Sequence, residues 1–177
     1  MSAVYEQRTE PPASDAAAAQ TDEAGDAPSR PTIYLHGGQV HATAERVAVS
    51  TVLGSCVSVC LYDPGAQVGG MNHFLLPRVG GREASPRFGD VAMPVLLELV
   101  LDRGASRDRL RAKIFGGACV LEAFRAGGQS LGDENSELAR SFLDSERIPI
   151  EARDTGGARG RKLVFLVDRG SATVRLL

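Results

Sequence analysis

The sequence predicts an α/β or α+β sandwich, with a mixed, largely antiparallel sheet and two main helices. Three observations support this class. Short segments rich in β-branched residues follow residue 31, two segments with helical spacing of apolar residues interrupt them, and the order is strands, helix, strand, helix, strands. The chain has 177 residues, which is typical of one domain. We therefore expect residues 32–177 to form a single domain.

The strands of the first half are short and end at glycine, proline or aspartate, residues that favour turns. These predicted strands cover residues 33–35, 46–53, 56–62 and 67–76. The breaks between them contain Gly37-Gly38, Gly54-Ser55 and Asp63-Pro64-Gly65. Three adjacent short strands indicate an antiparallel run.

Two helices are predicted in the second half. Asp90 is a good N-cap for the first, which ends at Gly104, and either Asp133 or Ser136 caps the second. The remaining strands cover residues 113–115, 148–152, 163–167 and 173–176.

Residues 1–31 differ from the rest of the chain. They contain an alanine run and several prolines, and six acidic residues stand against only Arg8 and Arg30. Such a segment buries too little apolar surface to offset the entropy of ordering it. We expect a disordered acidic tail.

Composition excludes several classes of protein. The formal net charge is −2, so no basic excess exists to neutralise nucleic-acid phosphates. Three cysteines do not make a disulfide framework, which favours a reducing, cytoplasmic location. Neither a signal peptide nor a membrane-length apolar segment is present, so we expect no direct membrane insertion.

Cys56 is the candidate nucleophile. It directly follows Gly54 and Ser55, and a turn of small residues can expose a thiol and direct backbone N–H groups to one point. A cysteine nucleophile needs a base, and His73 lies one strand further on, where hairpin pairing would bring it near. The alternative is that Cys56 is a small buried core residue.

The other candidate residues have simpler interpretations. Cys60 and Cys119 are expected in the core, with a resolving thiol as the alternative for Cys60. His36 and His41 are expected at the surface, with a two-histidine metal site as the alternative. Gly116-Gly117 is either a close-packing device or a wall of a substrate slot. The loop at residues 154–162 is expected to be a flexible surface turn, with a phosphate cradle as the alternative, although the loop lacks the spacing and the following helix of a phosphate-binding loop.

Several segments, in the same order, resemble the chemoreceptor glutamine deamidases, the CheD family. The two central segments are LGSCVSVCLYDP from Leu53 and GGMNHFLLP from Gly69. Further matching segments are RFGDVAMPVLL from Arg87, KIFGGACVL from Lys113, LGDENSELARSFL from Leu131 and DTGGARGRKLVF from Asp154. The resemblance covers the chain from Thr32 to its last residue.

The resemblance implies hydrolysis of receptor glutamines to glutamate and ammonia, without cofactor or metal. Cys56 matches the family's nucleophile and His73 its base. In that family, a hydroxyl residue shortly before the Gly-Ser-Cys turn orients the histidine. The matching position in this sequence is Ser50, and Thr51 stands next to it. The implied fold is similar to that of bacterial toxin deamidases.

The implied partners are methyl-accepting chemoreceptors and, as a second partner, a chemotaxis phosphatase. Arg159, Arg161 and Lys162 are candidates for steering a receptor to the protein. Two alternatives to the deamidase remain: a non-enzymatic adaptor that binds receptors or a phosphatase, and a receptor methylesterase that uses the same thioester chemistry.

Overall fold

The structure is a computed structural model, and it describes residues 30–119 and 130–177. The predicted tail therefore lies outside the described residues, except for Arg30 and Pro31.

Nine strands and two main helices make up this described part of the chain. The strands are β1 Thr32–Tyr34, β2 Gln39–Thr43, β3 Ala48–Leu53, β4 Val57–Asp63, β5 Val68–His73, β6 Arg111–Gly116, β7 Ile150–Thr155, β8 Arg161–Leu166 and β9 Ser171–Leu176. The helices are α1 Gly89–Asp102 and α2 Leu131–Ser145. Neither helix is long and apolar enough to cross a membrane.

The strands form two mixed sheets. One has the order β1-β3-β8-β9 and the other the order β2-β5-β4-β6-β7. The β1–β3 and β6–β7 pairs are parallel, and the other pairs are antiparallel. This confirms the predicted class, an α+β sandwich with largely antiparallel pairing and two helices.

Two details of the predicted sheet were wrong. The first three long strands do not form one antiparallel run, because β3 belongs to the four-stranded sheet while β4 and β5 pair in the other. The chain crosses between sheets at Gly54-Ser55, which the sequence suggested only as a break. In addition, β2 follows the Gly37-Gly38 turn and pairs with β5, and no strand was predicted there.

Alternation of side chains along the strands builds two apolar layers. Val49, Leu53, Cys60 and Met71 belong to the layer between the two sheets. The helices pack on the opposite face of the five-stranded sheet through a second layer. This second layer includes Val57, Val59, Leu61, Ala92, Leu96, Leu97, Ala139 and Leu143. The order of layers is therefore helices, five-stranded sheet, four-stranded sheet.

The helix caps differ from the predicted ones. The residue before α1 is Phe88, and the Asp90 carboxylate instead accepts the Val79 backbone N–H at 3.1 Å. Ser130 caps α2, because its hydroxyl accepts the Asp133 N–H while the Asp133 carboxylate accepts the Ser130 N–H. The predicted caps Asp90 and Asp133 are thus the second residue of α1 and the third residue of α2.

Candidate active site

Cys56 and His73 lie at the adjacent ends of two paired strands. In the antiparallel register of β4 and β5, Cys60 is opposite Met71. An isolated bridge extends this register to Val57 and Phe74, whose N–H groups and carbonyls exchange hydrogen bonds of 3.1 and 3.0 Å. Cys56 and His73 are then diagonal neighbours on one face, a relation that separates Cα atoms by roughly 7–8 Å and side chains by less.

That shared face is the one directed at the other sheet. His73 lies two residues after Met71, and Cys56 lies four before Cys60, so alternation puts all four on the same side. Cys56 is half-buried and packs against the apolar layer between the sheets. The strand register therefore places the two side chains on the same face as diagonal neighbours, with Cys56 at the border of the core.

Thr51 on β3 supplies the hydroxyl that contacts the imidazole. Its Oγ1 lies 2.8 Å from Nδ1 of His73 and 2.7 Å from the carbonyl oxygen of Leu35. A carbonyl only accepts, so the single hydroxyl proton is donated to Leu35. The oxygen then accepts from Nδ1–H of His73, which leaves the lone pair on Nε2.

Ser50, which register favoured for this role, is not the residue in contact. Val49 and Leu53 face the layer between the sheets, so Thr51 points there as well. Ser50 shares the opposite face with the exposed Val52. Packing of this face against the five-stranded sheet decides which of the two hydroxyl residues turns inward.

Burial sets the protonation of the pair. His73 is only 7% exposed, and this desolvation lowers its pKa below the ordinary value. Burial also raises the pKa of the Cys56 thiol, although its own backbone N–H opposes the shift. Both effects favour uncharged groups, so the resting pair is a thiol and a neutral imidazole. No described residue is hydrogen-bonded to the buried Nε2 of His73.

Gly116 and Gly117 hold the turn that carries Cys56. The carbonyl oxygens of Cys56 and Gly54 accept hydrogen bonds from the N–H groups of Gly117 and Ala118, each at 2.8 Å. A Cβ at Gly116 would lie 2.2 Å from the Cys56 carbonyl oxygen, and the φ of Gly116 is +112°. Of the two alternatives for this glycine pair, the contacts support close packing.

The two strands separate just beyond Cys56. A continued ladder would pair Ser55 with Leu76, but the Leu76 N–H donates to Arg87 at 3.1 Å and its carbonyl accepts from Gly89 at 2.8 Å. The backbone of Ser55 and Cys56 is thereby left outside the ladder between β4 and β5, and these two strands separate at the turn that carries Cys56.

Arg161 belongs to the same end of the sandwich and is not available for steering a partner. It is 3% exposed, and its guanidinium donates to the carbonyls of Gly116 and Gly156 and lies 3.1 Å from the Asp154 carboxylate. Arg161 therefore ties the loop at residues 154–162 to the glycine pair. Among the three basic residues named for docking, Arg159 is exposed and Lys162 is partly exposed.

The remaining cysteines and histidines differ in burial. Cys60 is 1% exposed, and burial raises its thiol pKa strongly. Cys119 is half-buried. His36 is exposed and its ring packs edge-on against Tyr34 with centroids 4.8 Å apart, while His41 is half-buried in β2. Within residues 30–119 and 130–177, no group of three His, Cys, Asp or Glu side chains is arranged to hold a metal.

One buried residue next to Cys56 was not predicted from the sequence. Asn135 of α2 is fully buried and donates from Nδ2 to the carbonyls of Ser55 and Leu75, both at 3.0 Å. The sequence pattern that could have indicated it is a polar residue on an apolar helix face. Ala139 and Leu143 follow Asn135 at intervals of four, so the three residues share one face of α2.

Fold and site together define a class: an α+β sandwich in which a histidine contacts a threonine hydroxyl from the opposing sheet and shares its strand face with a cysteine. A family model described as CheD chemotactic sensory transduction matches residues 75–176. The chain is 56% identical over 170 residues to a probable chemoreceptor glutamine deamidase CheD 1 of Anaeromyxobacter dehalogenans (strain 2CP-C), with 96% of this chain and 99% of that protein covered.

A probable chemoreceptor glutamine deamidase CheD of Stenotrophomonas maltophilia (strain K279a) is 43% identical over 148 residues, which cover 83% of this chain and 71% of that one. A solved Neisseria meningitidis protein of family DUF152 superposes with a TM-score of 0.45 at 15% identity, covering 77% of this chain and 75% of that one. The chain belongs to the CheD family.

Proposed function

We propose that this protein is a chemoreceptor glutamine deamidase in which Cys56 is the nucleophile, His73 the base and Thr51 the residue that orients His73. The observation that carries the proposal is the Thr51–His73 contact at 2.8 Å, on the strand face that His73 shares with Cys56. Family membership adds the substrate class, because the relatives are described as probable chemoreceptor glutamine deamidases.

The chemistry begins from the neutral pair. Nε2 of His73 accepts the thiol proton as the Cys56 sulfur attacks the carbonyl carbon of the glutamine side chain. Backbone N–H groups of the Ser55-Cys56 turn, which lies outside the strand ladder, stabilise the oxyanion. The imidazolium then donates its proton to the departing nitrogen, and ammonia leaves a thioester.

Hydrolysis of the thioester completes the cycle. Nε2 of His73 removes a proton from water, the hydroxide attacks the thioester carbon, and the carbon–sulfur bond breaks. The proton returns to the sulfur, so the products are glutamate and the original Cys56 thiol. Through all steps Thr51 keeps the Nδ1 proton in place, which leaves Nε2 as the nitrogen that exchanges protons.

The partners in this proposal are the cytoplasmic signalling helices of methyl-accepting chemoreceptors, and the site of action is the cytoplasm. A chemotaxis phosphatase is a second proposed partner. Binding of a purified phosphatase, measured by calorimetry, checks the second partnership separately from catalysis.

Mass spectrometry of receptor peptides tests the reaction. Wild-type protein is expected to raise the mass of specific glutamines by about one dalton, since OH replaces NH2, and to release ammonia. Cys56→Ala abolishes both, whereas Cys60→Ala removes a buried thiol nearby and retains them. Deamidation by folded Cys56→Ala protein would contradict the proposal, and release of methanol from methylated receptors without ammonia would identify a methylesterase.

A further inference from the structure

Asn135 occupies the point at which the two reactive strands separate. It lies on α2, its side chain is fully buried, and its two amide protons go to two different chain segments. One acceptor is the carbonyl of Ser55, directly before the nucleophile, and the other is the carbonyl of Leu75, two residues after His73, each at 3.0 Å. A single side-chain amide therefore joins the cysteine turn to the histidine strand.

The ladder explains why such a link is needed. Val57 and Phe74 form the last hydrogen-bonded pair, and the next such pair would be Ser55 with Leu76. In that pair the Leu76 N–H would donate to the Ser55 carbonyl, but it donates to Arg87 instead. The Asn135 amide takes the place of this missing donor. It links the strands after they have opened, so Cys56 lies outside the ladder while its turn remains tied to the neighbouring strand.

The environment of Asn135 separates this role from ordinary packing. Its Oδ1 is buried and has no hydrogen-bond partner among the residues that the structure describes. A buried acceptor without a partner lowers stability, and an apolar side chain of similar size would avoid that penalty. Ala139 and Leu143 on the same helix face contribute only packing, whereas Asn135 also donates two hydrogen bonds.

We propose that Asn135 is a positioning residue that sets the separation and orientation of Cys56 and His73. This inference rests on the proposed function for its kinetic consequence, because those two side chains must meet at the substrate carbonyl. Its geometric basis is independent of the substrate. Loss of the two donors lets the Ser55 turn and the Leu75 segment move apart, and a misplacement of about 1 Å in a reacting group lowers the rate by roughly 10²-fold.

The test replaces Asn135 by leucine, which keeps the branched arrangement of four heavy atoms, removes both donors and removes the unpaired acceptor. Asn135→Ala is the second variant, for the case that the leucine does not fit. Both are expected to lower kcat about 10²-fold with little change in KM, while the protein remains folded by circular dichroism. Ser130→Ala is the matched control: it removes the cap of the same helix without touching the nucleophile turn, and it is expected to lower Tm and leave kcat unchanged.

A second readout follows the reactive pair without any substrate. The rate of Cys56 alkylation by iodoacetamide, resolved by peptide mass spectrometry, is measured against pH. In the wild type the rate is expected to show an inflection from His73 titration, and in the Asn135 variants this inflection disappears because the imidazole no longer lies beside the sulfur. A merely structural role would lower Tm without changing this profile.

The outcomes separate the two proposals. Wild-type kcat and an unchanged alkylation profile in a folded Asn135 variant overturn the positioning role. So does an equal loss of kcat in Ser130→Ala. A wild-type protein that releases no ammonia, but whose alkylation profile still changes with the Asn135 substitution, overturns the proposed function and supports the positioning role.

Discussion

Replacing Thr51 by valine removes one oxygen atom and keeps the branched shape of the side chain. The hydroxyl bonds two buried groups, Nδ1 of His73 and the carbonyl of Leu35, at 2.8 and 2.7 Å. A buried polar group without a partner costs about 1–3 kcal/mol. Since 1.36 kcal/mol corresponds to a factor of ten in rate, loss of the orienting bond is expected to lower kcat by roughly 5–150-fold.

The assay is ammonia release from a purified chemoreceptor fragment, with kcat and KM determined separately. Thr51→Ser keeps a hydroxyl at the same position and is expected to retain most of the activity. Ser50→Ala is the matched control on the opposite face of β3, and its kcat is expected to equal that of the wild type. The hydrogen bond from His73 acts on protonation and orientation, so KM should change little.

A single pattern would refute this reasoning. If Ser50→Ala loses activity and Thr51→Val retains it, the hydroxyl that orients His73 comes from the other face of β3. The inward direction of Thr51 would then not hold in the working enzyme.

Three further predictions concern protonation, stability and the nucleophile turn. Because burial lowers the pKa of His73 from its ordinary value of 6.5, the rise of kcat/KM with pH should have its inflection below pH 6.5, which pH-resolved kinetics checks. The stability that the neutral form of His73 supports should be present above pH 6.5 and be lost as pH falls below it, which urea unfolding checks. Asp63→Asn should lower the free energy of unfolding by about 1–3 kcal/mol in urea titrations, since the buried Asp63 carboxylate accepts several hydrogen bonds. Gly116→Ala should lower kcat about 10²-fold by displacing Cys56, whereas Gly104→Ala, with a similar φ of +100° and open space around it, should not.

The stability that Asp63 contributes depends on pH in the same direction as that from His73, but over a more acidic range. Burial alone would raise the pKa of its carboxyl, but the hydrogen bonds from Arg109 and from the backbone N–H groups of Ser106, Ala66 and Gly65 outweigh burial and lower it. The stabilisation is therefore complete above the ordinary value of 3.8 and is lost as pH falls from there toward the lowered pKa. A wild-type protein whose acid unfolding matched that of Asp63→Asn would contradict this account.

The sequence predicted most of the strands and helices because their boundaries are marked locally. Turn residues end the strands, and the apolar spacing of α1 and α2 is helical. It did not predict that Gly54-Ser55 joins two different sheets, because a break between strands looks the same in a hairpin and in a crossover. The strand β2 was missed because its five residues, QVHAT, carry only two β-branched side chains.

The site was only partly predictable for the same reason. Cys56 and His73 are joined by a local hairpin, whose pairing follows from spacing along the chain. Thr51 and Asn135 come from the opposing sheet and from α2, so their contacts depend on packing between layers. Ser50 and Thr51 are adjacent hydroxyl residues, and packing between the two sheets, on the face that carries Val49 and Leu53, decides that Thr51 faces inward.

The reactive pair and the group that fixes its tautomer come from different sheets. Cys56 and His73 belong to one sheet, and Thr51 reaches them from the other across the apolar layer that Leu53 and Met71 share. A newly made chain whose two halves have not yet closed on each other lacks the hydroxyl, so its imidazole is free to exchange between protonation forms. In the proposed mechanism, the orientation of the imidazole therefore depends on closure of the whole sandwich and not on one sheet alone.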